Sequence, residues 1–237
     1  MRSFYSFFFA LLVLPFISNA QFTTNGTAVA TSSTSTSHCF QLTPTDFHVR
    51  GSVFSNTPIN LNQSFEINAR LYLGNNDGGA DGIAFVLQNE GPGYIGNYGA
   101  GLGYHRFNGI YPSDIPADVP GPVPSFIVEF DTWQNGFIGN QNIGDPAQDH
   151  LGFMSMSNAY HTSSTTLQAP QIFSANIEDG QWHDVKFSWN ATTKQMSVQF
   201  TTTNMPLVVQ NFSYTGDIVN TIFGGNGMVY WGFTAAT

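Results

Sequence analysis

A short window of the sequence, residues 129–150, concentrates side chains that can bind a metal ion, in a chain where charged residues make up only 9% of the total. Glu129, Asp131, Trp133 and Asn135 stand at alternate positions. Side chains two apart in an extended strand point to the same face. The spacing therefore predicts that two carboxylates, an indole and a carboxamide project in one direction.

Asp145 and His150 follow on a second segment of the same window. Calcium takes about six to eight oxygen ligands, and a transition ion such as manganese accepts carboxylates together with an imidazole. An isolated E-x-D pair on a strand is often only a solvated face. Here the apolar run at 126–128 and the presence of Trp133 on the same face favour a buried metal site instead.

Four segments of the sequence resemble motifs of the L-type, or legume-type, lectins. The sequence E-F-D-T-W-Q-N at 129–135, followed by D-P-A-Q-D-H at 145–150, is similar to the family's metal-binding core. The other three are A-D-G-I-A-F-V-L at 80–87, the glycine-rich G-A-G-L-G-Y at 99–104 and G-F-T-A-A-T at 232–237. They occur in the family's order, and the overall resemblance is closest to secreted microbial members.

The sequence predicts three consecutive parts. Residues 1–20 carry one cation, an apolar run and the small-residue ending Ser18-Asn19-Ala20, which is typical of a secretory signal peptide. Residues 21–38 are rich in Ser and Thr and should form a flexible leader. Residues 39–237 form the lectin-like domain. Family members usually continue with one more strand, so we expect this domain to lack its last strand or to belong to a longer protein.

Composition limits the partners of the chain. The formal net charge is −9, so nucleic acid and anionic membranes are unfavourable partners and cations are favoured. No stretch after the signal peptide is long and apolar enough for a membrane span. The single cysteine, Cys39, cannot form an intramolecular disulfide, and we expect it to be a small buried residue of the first strand. We therefore expect a secreted protein.

The periodic segments predict an all-β fold. Polar and apolar residues alternate at 64–73, 184–189 and 195–200, as in half-buried antiparallel strands. Residues 190–194 read as a hairpin turn between the last two, and no segment has a sustained helical period. This pattern predicts an antiparallel two-sheet sandwich. The lectin resemblance sharpens the prediction to a concanavalin-like jelly roll.

The resemblance implies two adjacent ions, Ca²⁺ and a second divalent ion of the manganese type. Asp131 and Asp145 would bridge them. The remaining implied ligands are Asn135 and the backbone carbonyl of Trp133 for calcium, and Glu129 and His150 for manganese.

The loop between Asn135 and Asp145 is longer than in plant members of the family, with nine intervening residues. Asn140 or Asn142 could therefore replace Asn135 as a ligand, and Asp149 could assist or simply be solvated.

The resemblance also implies a sugar site beside the metals. Asp81 would accept two sugar hydroxyl protons, and family members hold this residue through a cis peptide bond to the residue before it, here Ala80. Asn135 would donate its amide, Gly101 its backbone N–H, and Trp133 would stack on the sugar ring. The implied function is glycan binding without cleavage.

Two alternatives remain open at this stage. A glycoside hydrolase of the same fold would need a second carboxylate on the E-x-D-x-x-E pattern, and that position holds Gln134. A cell-surface adhesion module would use the sandwich to bind protein rather than sugar.

Overall fold

The computed structural model describes residues 22–34, 37–106, 122–138, 141–202 and 207–237. The predicted signal peptide lies outside these ranges. Almost all regular structure in the described part of the chain is strand, and no helix there is long and apolar enough to span a membrane. The strands are β1 Phe22–Gly26, β2 Val29–Ser33, β3 His38–Gln41, β4 Arg50–Ser55, β5 Ile59–Asn60, β6 Phe65–Tyr72, β7 Gly82–Gln88, β8 Ser125–Asp131, β9 Phe137–Ile138, β10 Gln141–Asn142, β11 His150–Ser155, β12 Gln171–Ile172, β13 Trp182–Asn190, β14 Gln195–Thr201, β15 Val209–Thr215 and β16 Met228–Ala236.

Two antiparallel sheets form the sandwich. The larger has the order β1-β4-β16-β7-β8-β11-β12, with β5 also paired to β16, and the smaller has the order β15-β14-β13-β6. The pairs β2-β3 and β9-β10 form two further two-stranded sheets. A 3₁₀ helix, Gly99–Gly101, and one turn of α-helix, Ile218–Thr221, complete the regular elements. The predicted all-β sandwich and the hairpin at 190–194 are confirmed.

An aromatic core joins the sheets. Phe85 on β7 stacks on Phe187 of β13 with ring centroids 4.2 Å apart. Phe130 on β8 approaches Phe200 of β14 at 6.0 Å. Alternate residues of β7 and β8 point into this core, because side chains on a strand alternate between its two faces.

The opposite face of the large sheet is also buried. Ala84 and Val86 of β7 and Ile127 of β8 pack under the loop that carries Tyr94 and Tyr104. Glu129 and Asp131 share this outer face with Ile127, since they lie two and four residues further along β8. The long loops over this face therefore determine what surrounds the two carboxylates.

The prediction of a flexible leader at 21–38 is wrong for the described residues 22–33. β1 pairs with β4 at the edge of the large sheet, and β2 pairs with β3. Phe22 anchors this segment by packing edge-on against Trp231 at 5.5 Å, and the backbone hydrogen bonds of a strand need no apolar side chains. Cys39 is half-buried in the β2-β3 pair rather than buried in the core.

Candidate metal centre and ligand site

Strands β8 and β11 bring the first metal-binding side chains together. In the antiparallel register, His150 lies opposite Asp131 and Gly152 opposite Glu129. A Cβ atom on Gly152 would lie 2.2 Å from Oε1 of Glu129, so only glycine leaves room for this carboxylate. The side chains of Glu129, Asp131 and His150 are all buried. The predicted common face of Glu129 and Asp131 is confirmed.

The loop after β8 folds back so that Asp145 reaches the same space. The backbone N–H of Asn135 donates to Oδ2 of Asp145 at 2.9 Å, and the N–H of Trp133 donates to Oδ1 of Asp131 at 2.9 Å. One potential ligand atom from each of Asp131, Asp145 and His150 lies within 4.8 Å of the others. The longer loop therefore does not prevent Asp145 from joining the cluster.

His161 completes the cluster and was missed by the sequence analysis. Its Nε2 atom lies 2.9 Å from Oε1 of Glu129, 3.3 Å from Oδ1 of Asp145 and 3.1 Å from Nε2 of His150. Its side chain is only 2% exposed. The site thus contains two imidazoles rather than the one that was predicted.

A tight turn after β11 carries His161 back over the sheet. Met156 and Ser157 both have left-handed backbone angles, with φ of 59° and 54°. Two successive residues of this kind reverse the chain sharply, and few non-glycine residues adopt them. No spacing rule predicts such a turn, so the sequence offered no local signal for His161.

Hydrogen bonds outside the cluster orient its ligands. Tyr104 donates its hydroxyl to Oε2 of Glu129 at 2.6 Å, which leaves Oε1 facing the cluster. Nδ1 of His150 lies 3.1 Å from the carbonyl of Gln148 and donates to it, since a carbonyl can only accept. The lone pair of His150 Nε2 is then free to face a cation, which is the usual arrangement for a metal-binding histidine.

Several buried oxygen atoms of the cluster lack hydrogen-bond partners within the described part of the chain. They are Oε1 of Glu129, Oδ1 of Asn135 and Oδ1 of Asp145. His161 lies near two of them without hydrogen-bond geometry, and its own Nδ1 is also unsatisfied. A buried acceptor without a partner is costly, and two bound divalent cations would supply partners for these oxygens. The residues present therefore fit the ions that the resemblance implies.

The pKa values of the carboxyl groups reflect their burial and their closeness to one another. Burial raises the pKa of Asp145 to about 7, although His161 partly opposes this. Burial and the neighbouring Asp145 and Glu129 carboxylates raise the pKa of Asp131 well above its ordinary value. Burial alone would raise the pKa of Glu129, but the adjacent His161 lowers it. Without a cation, ionising all of the carboxyl groups of the cluster costs free energy.

Asp81 lies next to this cluster at the start of β7. The Ala80–Asp81 peptide bond is cis, as the resemblance implied. The N–H of Asp81 donates to the carbonyl of Ala236, and the N–H of Thr132 donates to the carbonyl of Asp81, both at 3.1 Å. Burial raises the pKa of Asp81 to about 6, and the neighbouring Asn135 side chain partly opposes this. Asp81 and Asn135 therefore form one polar unit.

Trp133 is 43% exposed, so its ring is available to a ligand rather than part of the core. Gly101, the predicted backbone donor, is buried, and its N–H donates to the carbonyl of Tyr98 at 3.2 Å. Gly99 lies closer to the site: a Cβ atom placed on it would be 4.0 Å from Oδ2 of Asp81. Gly99 begins the 3₁₀ helix, so its N–H has no acceptor within that turn.

Two of the alternative calcium ligands make hydrogen bonds within their own loops or to a neighbouring one. Asn142 turns its Oδ1 to the N–H of Gly144 at 2.8 Å, so it caps its own loop rather than replacing Asn135. Asp149 accepts from the N–H of Ile177 at 2.7 Å, which is a structural role. Asn140 lies outside the described residues.

The sequence model of the legume lectin beta-barrel domain matches residues 17–237. The chain belongs to the legume lectin family. Legume lectins are carbohydrate-binding proteins that are not enzymes, which disfavours the hydrolase alternative. A curated relative is the pesticidal crystal protein Cry22Aa of Bacillus thuringiensis, 25% identical over 191 residues. That match covers 74% of this chain but only 23% of the length of the relative.

Solved structures of plant lectins share the fold. The Bauhinia forficata lectin in complex with GalNAc is 20% identical, with a TM-score of 0.64 over 91% of this chain and 85% of that one. The basic winged bean lectin with Tn-antigen is 19% identical, with a TM-score of 0.67 over 92% and 82% of the two chains. Lectin II from Ulex europaeus is 18% identical, with a TM-score of 0.65 over 92% and 84%. These likenesses support the jelly-roll sandwich.

Proposed function

We propose that this protein is a secreted lectin that binds glycans without cleaving them, through a site that depends on Ca²⁺ and a second divalent ion. One observation carries the proposal. The Asn135 side chain lies next to the buried Asp81 carboxylate, and the ring of Trp133, two positions before Asn135, is exposed. The buried Oδ1 of Asn135 has no partner in the described part of the chain.

Each of these residues has a role that its chemistry supports. The Asp81 carboxylate accepts protons from two sugar hydroxyls, and Asn135 donates its amide N–H to a third polar atom. Calcium would be held by Asp131, Asn135, Asp145 and the carbonyl of Trp133, and it supplies a fixed positive charge that orients the Asn135 amide. The indole of Trp133 packs on the apolar face of the sugar.

Gly99 has a separate role in this proposal. Without a side chain, it lets the ligand approach the backbone near Asp81. Its N–H replaces that of Gly101 as the expected donor.

The absence of cleavage rests on Gln134 and on the position of Glu129 and Asp131. Gln134 cannot transfer a proton, and its amide donates to the carbonyl of Asp145 at 3.3 Å. Carboxylates bound to a divalent ion stay ionised and cannot act as general acids. Incubation with soluble β-glucans, mannans and galactans should therefore release no new reducing ends.

Secretion is supported by the sequence of residues 1–20, which has the three parts of a signal peptide. The acidic composition suits an exported protein whose ligands are neutral glycans and cations. We also propose that the chain is related to the secreted microbial members of the family. N-terminal sequencing of the protein recovered from the medium of its native producer should begin near residue 21.

A glycan array, run with calcium and with a chelator, tests glycan binding. Asp81→Ala should abolish binding, because it removes the carboxylate acceptor, while the exposed Asp184→Ala serves as the matched control and should bind normally. Binding by Asp81→Ala at the parental level would show that the site is assigned wrongly. A blank array for the parent, together with a protein ligand captured equally with and without metal, would favour an adhesion module.

A further inference from the structure

His161 adds a second imidazole to the proposed site of the second ion, for which the sequence predicted only His150. Its Nε2 approaches Glu129, Asp145 and His150, which come from three different segments of the chain. Gly152 makes this possible, since a Cβ atom there would lie 2.9 Å from Cε1 of His161. The space is therefore shaped for this imidazole as well as for the Glu129 carboxylate.

The distances within the cluster match those between neighbouring ligands of one small ion. With metal–nitrogen bonds of about 2.0–2.1 Å, adjacent ligand atoms in octahedral or tetrahedral geometry lie roughly 2.9–3.4 Å apart. The three distances from His161 Nε2 are 2.9, 3.1 and 3.3 Å. A single proton on this nitrogen can serve only one of the three neighbours, whereas a cation at their centre would bind all of them.

We propose that His161 is a direct ligand of the second ion, and that the resulting centre of Glu129, Asp131, Asp145, His150 and His161 selects zinc over manganese. The proposal rests on the metal centre of the proposed function but not on sugar binding. Manganese prefers carboxylate, carbonyl and water ligands, whereas imidazole suits zinc and the later transition metals. A second imidazole therefore shifts the preference of the site away from manganese.

The main test is a competition titration on protein stripped of metal and then saturated with Ca²⁺. Zn²⁺ and Mn²⁺ are each titrated against a chelating dye, and the parent should bind one equivalent of Zn²⁺ at the second site with the higher affinity. His161→Ser should weaken Zn²⁺ binding by more than about a hundredfold, because loss of a supporting group that does not touch the metal already costs about tenfold to a hundredfold. Its affinity for Mn²⁺ should change far less, so the ratio of the two affinities falls.

The matched control is His38→Ser, because His38 is an imidazole in the separate β2-β3 pair and belongs to neither group of candidate metal ligands. It should leave both affinities unchanged. If His161→Ser keeps the parental Zn²⁺ affinity, or loses Zn²⁺ and Mn²⁺ affinity equally, the direct ligation by His161 is refuted.

X-ray absorption of the zinc-loaded parent gives a test that needs no variant. Multiple scattering from two imidazoles supports the proposal, and scattering from one imidazole overturns it. A two-imidazole zinc spectrum combined with a blank glycan array would reject the proposed function and still support this centre. Sugar binding combined with a one-imidazole spectrum would do the reverse, so the two proposals fail separately.

Discussion

Strand β8 has two buried faces that differ in chemistry. Phe126, Val128 and Phe130 point into the sandwich, where they meet aromatic rings of the smaller sheet. Glu129 and Asp131 point outward, under loops that also exclude water. Every residue of the strand is buried, yet burial stabilises one face and penalises the other.

The difference shows what each face requires from the rest of the chain. The apolar face needs only volume and shape, which many sequences can supply. The polar face needs partners for each charge, and it obtains hydrogen bonds from Tyr104 and from the N–H of Trp133. The remaining charge is removed either by protonation or by the cation that we propose. The stability of the first face should therefore be independent of metal, and that of the second should depend on it.

A substitution on the apolar face should have the strongest effect on stability. Phe130→Ala removes a ring that contacts Phe173, Phe187 and Phe200 and should lower the free energy of unfolding by about 3–5 kcal/mol. Denaturant unfolding should give the same loss with calcium and with chelator. A loss that disappears in chelator would mean that the two faces are not independent.

Removal of metal should have the next largest effect. A ligand that binds only the folded state stabilises it by about 2.7 kcal/mol at a hundredfold excess over its Kd. Chelator should lower the Tm of the parent accordingly, while Asp131→Asn should have lost most of this response. An unchanged melting curve, with metal content measured as zero, would contradict the assignment of a metal centre.

The pH dependence of the metal-free protein should be unusual for an acidic protein. In the folded state, the pKa values of Asp81 and Asp145 are raised to about 6 and about 7 from 3.8, and that of Asp131 is raised as well. A raised carboxyl pKa gives stability that is complete below the unfolded value and is lost as pH rises through the folded value. In chelator, the Tm should therefore fall between about pH 5 and pH 8.

With metal present, the Tm should instead rise with pH. The ligands must be deprotonated to bind the metal, so the affinity of the protein for the metal rises with pH. The lowered pKa of His150 acts against the fall and the raised pKa of His161 adds to it, so its size should be moderate. Glu178 lies outside the cluster, and its pKa is raised to about 7. Glu178→Gln should therefore make the fall of Tm with pH smaller. A metal-free Tm that rises steadily from pH 5 to pH 8 would disprove the charge crowding.

Local periodicity was enough to predict part of the site. The alternate spacing of Glu129 and Asp131 on a strand placed both on one face, and the structure confirms this. The position of Asp81 and its cis bond to Ala80 came from the resemblance to a family and not from any spacing, because neighbours across a sheet leave no pattern in the sequence.

The residues that turns and loops bring to the site could not be predicted from the sequence. His161 depends on the left-handed conformations of Met156 and Ser157, and Tyr104 reaches Glu129 from a loop 25 positions earlier in the chain. The choice between the N–H groups of Gly99 and Gly101 could not be predicted for the same reason. A 3₁₀ turn uses some N–H groups for its own hydrogen bonds, and the residue at which the turn begins determines which ones. Such details are set by tertiary packing rather than by local residue type.

The smallest expected effect concerns Trp133, whose ring lies at the border of the polar face. Trp133→Ala should weaken glycan binding by about 1 kcal/mol, or roughly fivefold, because the stacking surface is lost while the backbone carbonyl proposed to bind calcium remains. Trp182→Ala is the matched control, since Trp182 is 41% exposed against 43% for Trp133 and belongs to the smaller sheet. Calorimetric titration with the best glycan from the array measures both variants, and the response to chelator should be the same in each. If Trp133→Ala also abolished calcium binding, the ring would be supporting the metal loop instead of the sugar. Equal losses in the two variants would mean that neither ring marks the ligand site.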